Sequence, residues 1–305
     1  MHWNNRYVSS ARTLQMGHVH KTKYPQRMHE MMLSQDLCDK LSFEFSPSWN
    51  SGDFYAIEAP DARLDKLLKF NSYDYFRYDF ERILSECVHN LCLAPKTYIE
   101  FAVTYDEKNT VIGLSLIPFD ALKVLKLRKT TIFFSKKRNG KFCFFKIPND
   151  YHIEFSIREM DIKRTFFKSV VRKLKRVELN RSTELVLDSE LENKFDFSKW
   201  KTKADFLKLK YPCKIGWVCR DYDNPLLSES YLLYRSIRFK MLRKKFLEYL
   251  LQRINIGIGN LSEEIAAEGK IVISESIVDY EKEWHRFSGG EICTSELSDI
   301  VFKIC

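Results

Sequence analysis

Thr97-Tyr98-Ile99-Glu100-Phe101-Ala102-Val103, Asp106-Glu107-Lys108-Asn109 and Val111-Ile112-Gly113-Leu114-Ser115-Leu116-Ile117 together decide the fold of this chain. The two apolar runs are rich in β-branched and aromatic residues, and the polar residues between them supply the turn of an antiparallel hairpin. The pattern returns downstream. Thr130 to Phe134 and Phe142 to Ile147 flank Lys136-Lys137-Arg138-Asn139-Gly140, whose Asn-Gly pair tolerates the positive φ of a tight turn. A further strand is predicted over His152 to Ile157. Upstream, Phe76, Phe80, Ile83, Leu84, Cys87, Val88 and Leu91 recur at helical spacing, and Pro95 closes that helix. A helix leading into a mostly antiparallel sheet places the chain in the α+β class.

Two basic helices are expected further on. Phe166, Phe167, Val170, Val171, Leu174 and Val177 form an apolar face, opposite Lys163, Arg164, Lys168, Arg172, Lys173, Lys175 and Arg176. The longest predicted element runs from Pro225 to about Ile254. Asn224 is its expected cap, Pro225 suits the first helical position, and Gly257 and Gly259 are expected to stop it. It carries Arg235, Arg238, Lys240, Arg243, Lys244, Lys245 and Arg253 against Glu229 and Glu248. A strand from Lys270 to Ser274 and a helix from Ser276 to Phe287, closed by Gly289-Gly290, complete the pattern. The architecture expected is an antiparallel sheet with flanking helices plus a long basic helix. Its parts are a loosely structured arm over 1–60, an α+β domain over 61–215, and a long-helix and C-terminal helical region over 216–305.

Composition narrows the classes. With 45% hydrophobic and 14% aromatic residues in 305, the chain has the material for a core and is not disordered. Only 10 Gly and 8 Pro exclude collagen-like and linker-like sequences. No apolar run approaches the roughly 18–20 residues of a membrane span, and Met1-His2-Trp3-Asn4-Asn5 lacks the order of a secretory signal. Eight cysteines in this length are too sparse for a disulfide scaffold, so reduced thiols in a cytosol are expected. The formal net charge of +9 points to an anionic partner.

Chemistry-bearing motifs are few. Gly257-Ile258-Gly259 follows a helix and has no lysine in register, so it is not a phosphate-cradling loop. No Gly-x-Ser-x-Gly occurs. His18, His20 and His29 offer imidazoles for a metal, against the plainer reading of an N-terminal arm. Cys87, His89 and Cys92 read as core thiols on an apolar helix face rather than as ligands. Asp150 followed by Asp161-Ile162-Lys163, with Glu154 and Glu159 between, has the spacing of a metal-dependent nuclease; Asp161 reads better as a helix N-cap or first-turn acid. No catalytic residue, metal ligand or cofactor is assigned. The candidates left are nucleic-acid-binding: Arg235, Arg238, Lys240, Arg243, Lys244 and Lys245 on the long helix, and Lys168, Arg172 and Lys173 on the shorter one. Tyr231, Tyr234, Phe239, Phe246 and Tyr249 are interleaved with the first group. The competing reading is a solvated basic face with aromatics in the core.

In order along the chain, the helix from Phe76, Tyr98-Ile99-Glu100-Phe101, the turn Asp106 to Asn109, Ile117-Pro118-Phe119-Asp120, Ile147-Pro148-Asn149-Asp150 and Asn224-Pro225-Leu226-Leu227 resemble the portal proteins of tailed bacteriophages. The resemblance covers about residues 70–160 and 210–290. It implies that the α+β part is a portal wing and that subunits form a ring around a DNA channel. Arg238, Arg243, Lys244 and Lys245 would then face DNA or a neighbouring subunit. It further implies a homo-oligomer, DNA or another nucleic acid as partner, no membrane, and a cytoplasmic or virion-associated location. Such a ring needs an exposed apolar patch larger than a monomer normally tolerates. The alternatives are a nucleic-acid-binding accessory protein using its basic helices and a metal-dependent nuclease.

Overall fold

The structure, a computed structural model, describes residues 33, 36–37, 55–70, 76–136, 141–163, 166–167, 169–170, 198, 202, 205–207, 210, 212–217, 228–273 and 278–302. Its main elements are β1 (Tyr55–Glu58), α1 (Arg63–Lys69), α2 (Phe76–Leu93), β2 (Lys96–Tyr105), β3 (Val111–Phe119), β4 (Lys123–Lys126), β5 (Thr130–Lys136), β6 (Phe142–Pro148), β7 (His152–Ser156), α3 (Glu229–Ile265), β8 (Lys270–Ile273), α4 (Tyr280–Ser288) and α5 (Thr294–Phe302). The class is α+β, as the hairpin pattern predicts. All strand pairings are antiparallel. Two compact units are present. The first uses described residues of 55–162 and 246–273, the second those of 33–37, 163–245 and 278–302, so α3 gives 229–245 to the second and 246–265 to the first.

The first unit is layered. β2 is the central strand of the sheet β3-β2-β7, in the register Phe101 to Leu116 and Ile99 to Ile153. Strand side chains alternate, so Ile99, Phe101 and Val103 share one face while Tyr98, Glu100 and Ala102 share the other. Nearly all of β2 is buried, as a strand covered on both faces must be. The Phe101 face packs on residues 246–265 of α3, where Gly257 meets the Phe101 ring and the Ile153 side chain. The Tyr98 face packs on a second sheet, β4-β5-β6. The Tyr98 and Phe119 rings contact Phe133 at 5.1 and 5.0 Å between centroids, and Phe145 stacks on Phe133 at 5.4 Å. α1 buries Leu64, Leu67 and Leu68, and β1 pairs with β8 from Tyr55–Ile273 to Glu58–Lys270.

Several polar groups join the elements of this unit. Tyr249 Oη accepts from Ser156 N–H at 2.8 Å and donates to Glu159 at 2.9 Å. Glu264 accepts from the hydroxyls of both Tyr105 and Tyr151. Asn255 uses both ends of its amide on the backbone of Ile271, fixing β8 against the helix.

The second unit has its own core: Leu233, Ile237, Tyr280, Ile292, Leu297 and Val301, with Met241, Trp284 and Phe287 against it. Asp279 caps α4 by accepting from Lys282 N–H, and Glu296 accepts from Cys293 N–H at the start of α5. Trp217 Nε1 donates to Asp36 at 2.7 Å, while its carbonyl accepts from Arg235.

Three local expectations change. α3 does not stop at Gly257 and Gly259; it continues to Ile265, and Ala266 (φ 48°) and Gly269 (φ 147°) end it. Gly257 is instead the point where helix backbone meets the Phe101 ring, which no Cβ would permit. The predicted start at Asn224-Pro225 lies outside the described residues; Ser228 Oγ accepts from Tyr231 N–H at the described start. Asp161 is not a helix N-cap. It adopts φ 56°, ψ 23° after the 3₁₀ turn Ile157–Met160, a left-handed position that Asp tolerates better than most residues. Within the stretch read as an arm, 55–58 is the paired strand β1. The Asn139-Gly140 turn, His18, His20, His29 and residues 171–197 lie outside the described residues. Among the described residues no helix is long and apolar enough to cross a membrane.

Candidate nucleic-acid interface

The inner face of β4-β5-β6 is core, and its outer face carries exposed side chains. Directly paired residues of antiparallel strands point the same way, so the register sorts the outer side chains into rows. One row is Leu125, Ile132 and Lys146; the next is Lys123, Phe134 and Phe144; the third is Lys136 and Phe142. Each row holds one lysine beside one or two apolar side chains, and none holds an acid. Phe142 is 75% exposed and Phe144 65%, and Phe134, Leu122, Leu125 and Leu127 also stand open to solvent. These are six of the nine large exposed hydrophobic residues among the described residues. Phe134 and Phe144 lie 6.3 Å apart by ring centroid, and Lys136 Nζ sits 4.8 Å from the Phe142 centroid.

The charge is concentrated here too. Residues 121–149 hold nine of the 50 Lys and Arg and none of the 41 Asp and Glu, so this stretch equals the chain's whole excess of +9. The remainder of the chain is formally neutral. No acid lies in the sequence of these strands, and a counter-charge reaches them from β7, where Glu154 meets Lys126.

Below the face, charge is neutralised and buried. Glu154 on β7 binds Lys96 and, at 3.3 Å, Lys126, whose side chain belongs to the inner rows. Burial raises the Glu154 carboxyl, but the two lysines outweigh it and hold the group below its ordinary range. His152, edge-on to Phe133 at 5.1 Å, is pushed down by burial and keeps its Nδ1 3.0 Å from the Pro148 carbonyl oxygen. The Tyr98 hydroxyl is pushed up by burial and by Glu154. Neutral His152 and un-ionised Tyr98 leave the inner layer with little net charge, so the field of the sheet comes from its outer lysines and strand ends.

The basic residues singled out on the long helix are dispersed. Arg235 is only 1% exposed and Arg243 7%. Arg238 is exposed, donates to the Lys214 carbonyl at 3.2 Å and lies over the Tyr234 ring. Lys240 donates to the Tyr280 hydroxyl at 3.2 Å. Lys244 is half-buried and Lys245 exposed. Lys168, Arg172 and Lys173 lie outside the described residues. Of the interleaved aromatics, Phe246 and Tyr249 are core residues of the first unit. The nuclease-spaced acids are spoken for or apart: Glu154 by its lysines, Glu159 by Tyr249, Asp150 exposed in the 3₁₀ turn Asn149–Tyr151, and Asp161 in its left-handed turn. Among the described residues no three His, Cys, Asp or Glu side chains are grouped as metal ligands. Cys87 and Cys92 are buried core residues.

The residues of the sheet face are not among those the helical reading picks out. A running sum of charge would have found them, since 29 successive residues without one acid stand out in a chain with 30% charged residues.

No family model matches the chain, and no curated protein matches it. Among solved structures it is similar to a chain of the virion of a native gene transfer agent particle, at 10% identity and a TM-score of 0.37, covering 90% of this chain and 91% of the other.

Proposed function

We propose that this protein is a non-enzymatic structural protein that holds nucleic acid, and in its finer form a portal-like subunit of a viral particle whose copies surround DNA. The observation that carries the reading is that Lys123, Lys136 and Lys146 stand beside exposed Phe134, Phe142 and Phe144 on one sheet face, within a stretch of sequence, 121–149, that holds nine Lys and Arg and no acid. Lysines on that face neutralise phosphates in a sequence-independent manner. Apolar side chains left open on the same rows provide what a ring of subunits or a bound strand requires, since a soluble monomer seldom exposes such a patch. The portal-like form adds only the resemblance of residues 70–160 and 210–290. In that form Arg238, Lys240, Lys244 and Lys245 remain secondary contacts to DNA or to a neighbouring subunit, whereas Arg235 and Arg243, expected there from the sequence, are buried and drop out of the contact set.

Two measurements test the reading. Affinity for DNA should fall linearly on a log scale with salt, and replacing Lys123, Lys136 and Lys146 by Glu should flatten that slope by about 2 to 3, or about 0.7–0.9 for each phosphate that is no longer neutralised. Binding that ignores salt, or that survives the triple replacement unchanged, removes the sheet as the interface. Mass in solution decides the finer form: a ring gives a multiple of the monomer mass, whereas a persistent monomer leaves a nucleic-acid-binding accessory protein.

A further inference from the structure

We infer that the β4-β5-β6 face is a stacking platform for single-stranded nucleic acid, with bases laid on Phe142, Phe144 and Phe134 and the backbone led across Lys136, Lys123 and Lys146. The inference rests on the nucleic-acid reading above and narrows it. A duplex offers phosphates, sugars and base edges, while its base faces are already covered by each other. Its grooves admit a helix or a narrow ribbon rather than the broad face of a sheet. Phenylalanine rings pressed on a duplex would meet only the polar backbone. A single strand offers free base faces, and base-on-aromatic stacking is indifferent to sequence because every base has a π face.

The spacing suits this occupant. Phe142 and Phe144 are two residues apart on one strand, hence about 7 Å apart on the same face. Phe134 widens the second row across to β5, its ring 6.3 Å from Phe144. Both rows that carry phenylalanine also carry a lysine, Lys136 beside Phe142 and Lys123 beside Phe134 and Phe144, and Lys146 stands in the row beyond, so cations lie along the line of stacked bases. No carboxylate stands on the rows to repel the backbone. Lys136 already rests over the Phe142 ring at 4.8 Å, as an ammonium does on an aromatic face that a base would otherwise cover.

The test measures binding by fluorescence anisotropy with labelled oligothymidylate and oligouridylate of about 16 nucleotides, the upper end of such sites, and with the oligothymidylate paired to its complement. The wild-type chain should bind both single strands more tightly than the duplex, and the two single strands together report whether the ribose matters. Phe142→Ala/Phe144→Ala should lose about tenfold to a hundredfold in single-strand affinity per base unstacked, with duplex affinity changed less than about twofold. Thermal melting checks that the variant stays folded. Phe142→Trp should retain binding, and the fluorescence it adds should be quenched by oligothymidylate.

Equal affinity for single strand and duplex, or unchanged single-strand affinity in the double alanine variant, overturns the stacking platform; if the Lys→Glu variant still loses binding, the broader nucleic-acid reading stands. Absence of any binding at low salt overturns both. Should the double alanine variant instead lower the mass of the unliganded protein while leaving oligonucleotide binding intact, the face is an interface between copies of the chain and the inference fails.

Discussion

Replacing Gly257 and, separately, Gly259 by alanine should move stability in opposite directions. Both residues lie inside α3, two apart, so their backbone setting is nearly the same. At Gly257 a Cβ would lie 2.1 Å from Phe101 Cζ and 3.0 Å from Ile153 Cγ2. Both neighbours are buried strand residues, so the ring cannot swing aside, and overpacking of this kind costs about 1–3 kcal/mol. Taking the upper end, and subtracting the roughly 1 kcal/mol that alanine gains over glycine in a helix, Gly257→Ala should destabilise by about 2 kcal/mol. At Gly259 nothing lies within 4 Å of a Cβ, so only the helical gain of about 1 kcal/mol remains. For a domain of this size, about 2–4 °C of melting temperature accompanies each kcal/mol. Thermal melting followed by far-ultraviolet circular dichroism should therefore show Gly257→Ala lower by about 4–8 °C and Gly259→Ala higher by about 2–4 °C. Two losses would mean that the helix ends near these glycines, as the sequence pattern suggests. Two gains would mean that Phe101 does not lie beneath the helix.

Acid should weaken the protein in two stages. Burial lowers the folded His152 pKa below 6.5, so the unfolded chain takes up a proton first, and stability present above that pH declines as pH falls through it. Glu154, lowered below 4.5 by Lys96 and Lys126, adds a second loss as pH falls further; urea midpoints measured across pH should show both, and His152→Phe should remove the first alone. Truncation should also tell the two faces of the outer sheet apart. Phe133→Ala, fully buried among Tyr98, Phe119 and Phe145, should cost about 3–5 kcal/mol in urea unfolding, whereas exposed Phe144→Ala should change stability by no more than about 0.5 kcal/mol. The reverse order of costs would show the sheet to be turned over, and similar costs would show both faces to be covered.

The strands are legible because each carries its own evidence. β2, β3, β5, β6 and β7 are local apolar runs with polar or Asn-Gly turns between them, and α2 has an apolar stripe that one neighbour explains. What escapes depends on residues distant in sequence. β1 is four residues whose partner, β8, lies more than 200 positions away, so nothing near Tyr55 signals a strand. β4, Lys-Val-Leu-Lys, is too short and too charged to stand out until β5 pairs with it. The end of α3 is misplaced by the pattern because glycine has two uses that look alike in sequence, the helix stop and the close approach. Only the Phe101 ring, brought from another element, tells them apart. The same distance hides the fate of Arg235, which reads as a solvated cation on its helix but is enclosed because the Trp217 carbonyl comes to meet it.

That last contrast explains why the functional weight moves from helix to sheet. A helix that gives one stretch to each of two cores, as α3 does, presents apolar side chains in more than one direction, and its cations are drawn into local bonds such as Arg238 to Lys214 and Lys240 to Tyr280. A sheet has only two faces. Phe142-Cys143-Phe144-Phe145-Lys146-Ile147 is written like a strand covered on both, since apolar residues occupy both parities. Phe145 and Ile147 are buried on the inner side, yet Phe142 and Phe144 on the outer side are bare. Among the described residues that strand has one cover, and the proposed partner is the second. The lysine in every row, with no acid between residues 121 and 149, selects the partner's sign, and the open phenylalanine rings select its flat, stackable surface. A polymer of phosphates and unpaired bases has both properties, which is why the proposal names an anionic single strand rather than an acidic protein: carboxylates would satisfy the lysines and leave the rings uncovered.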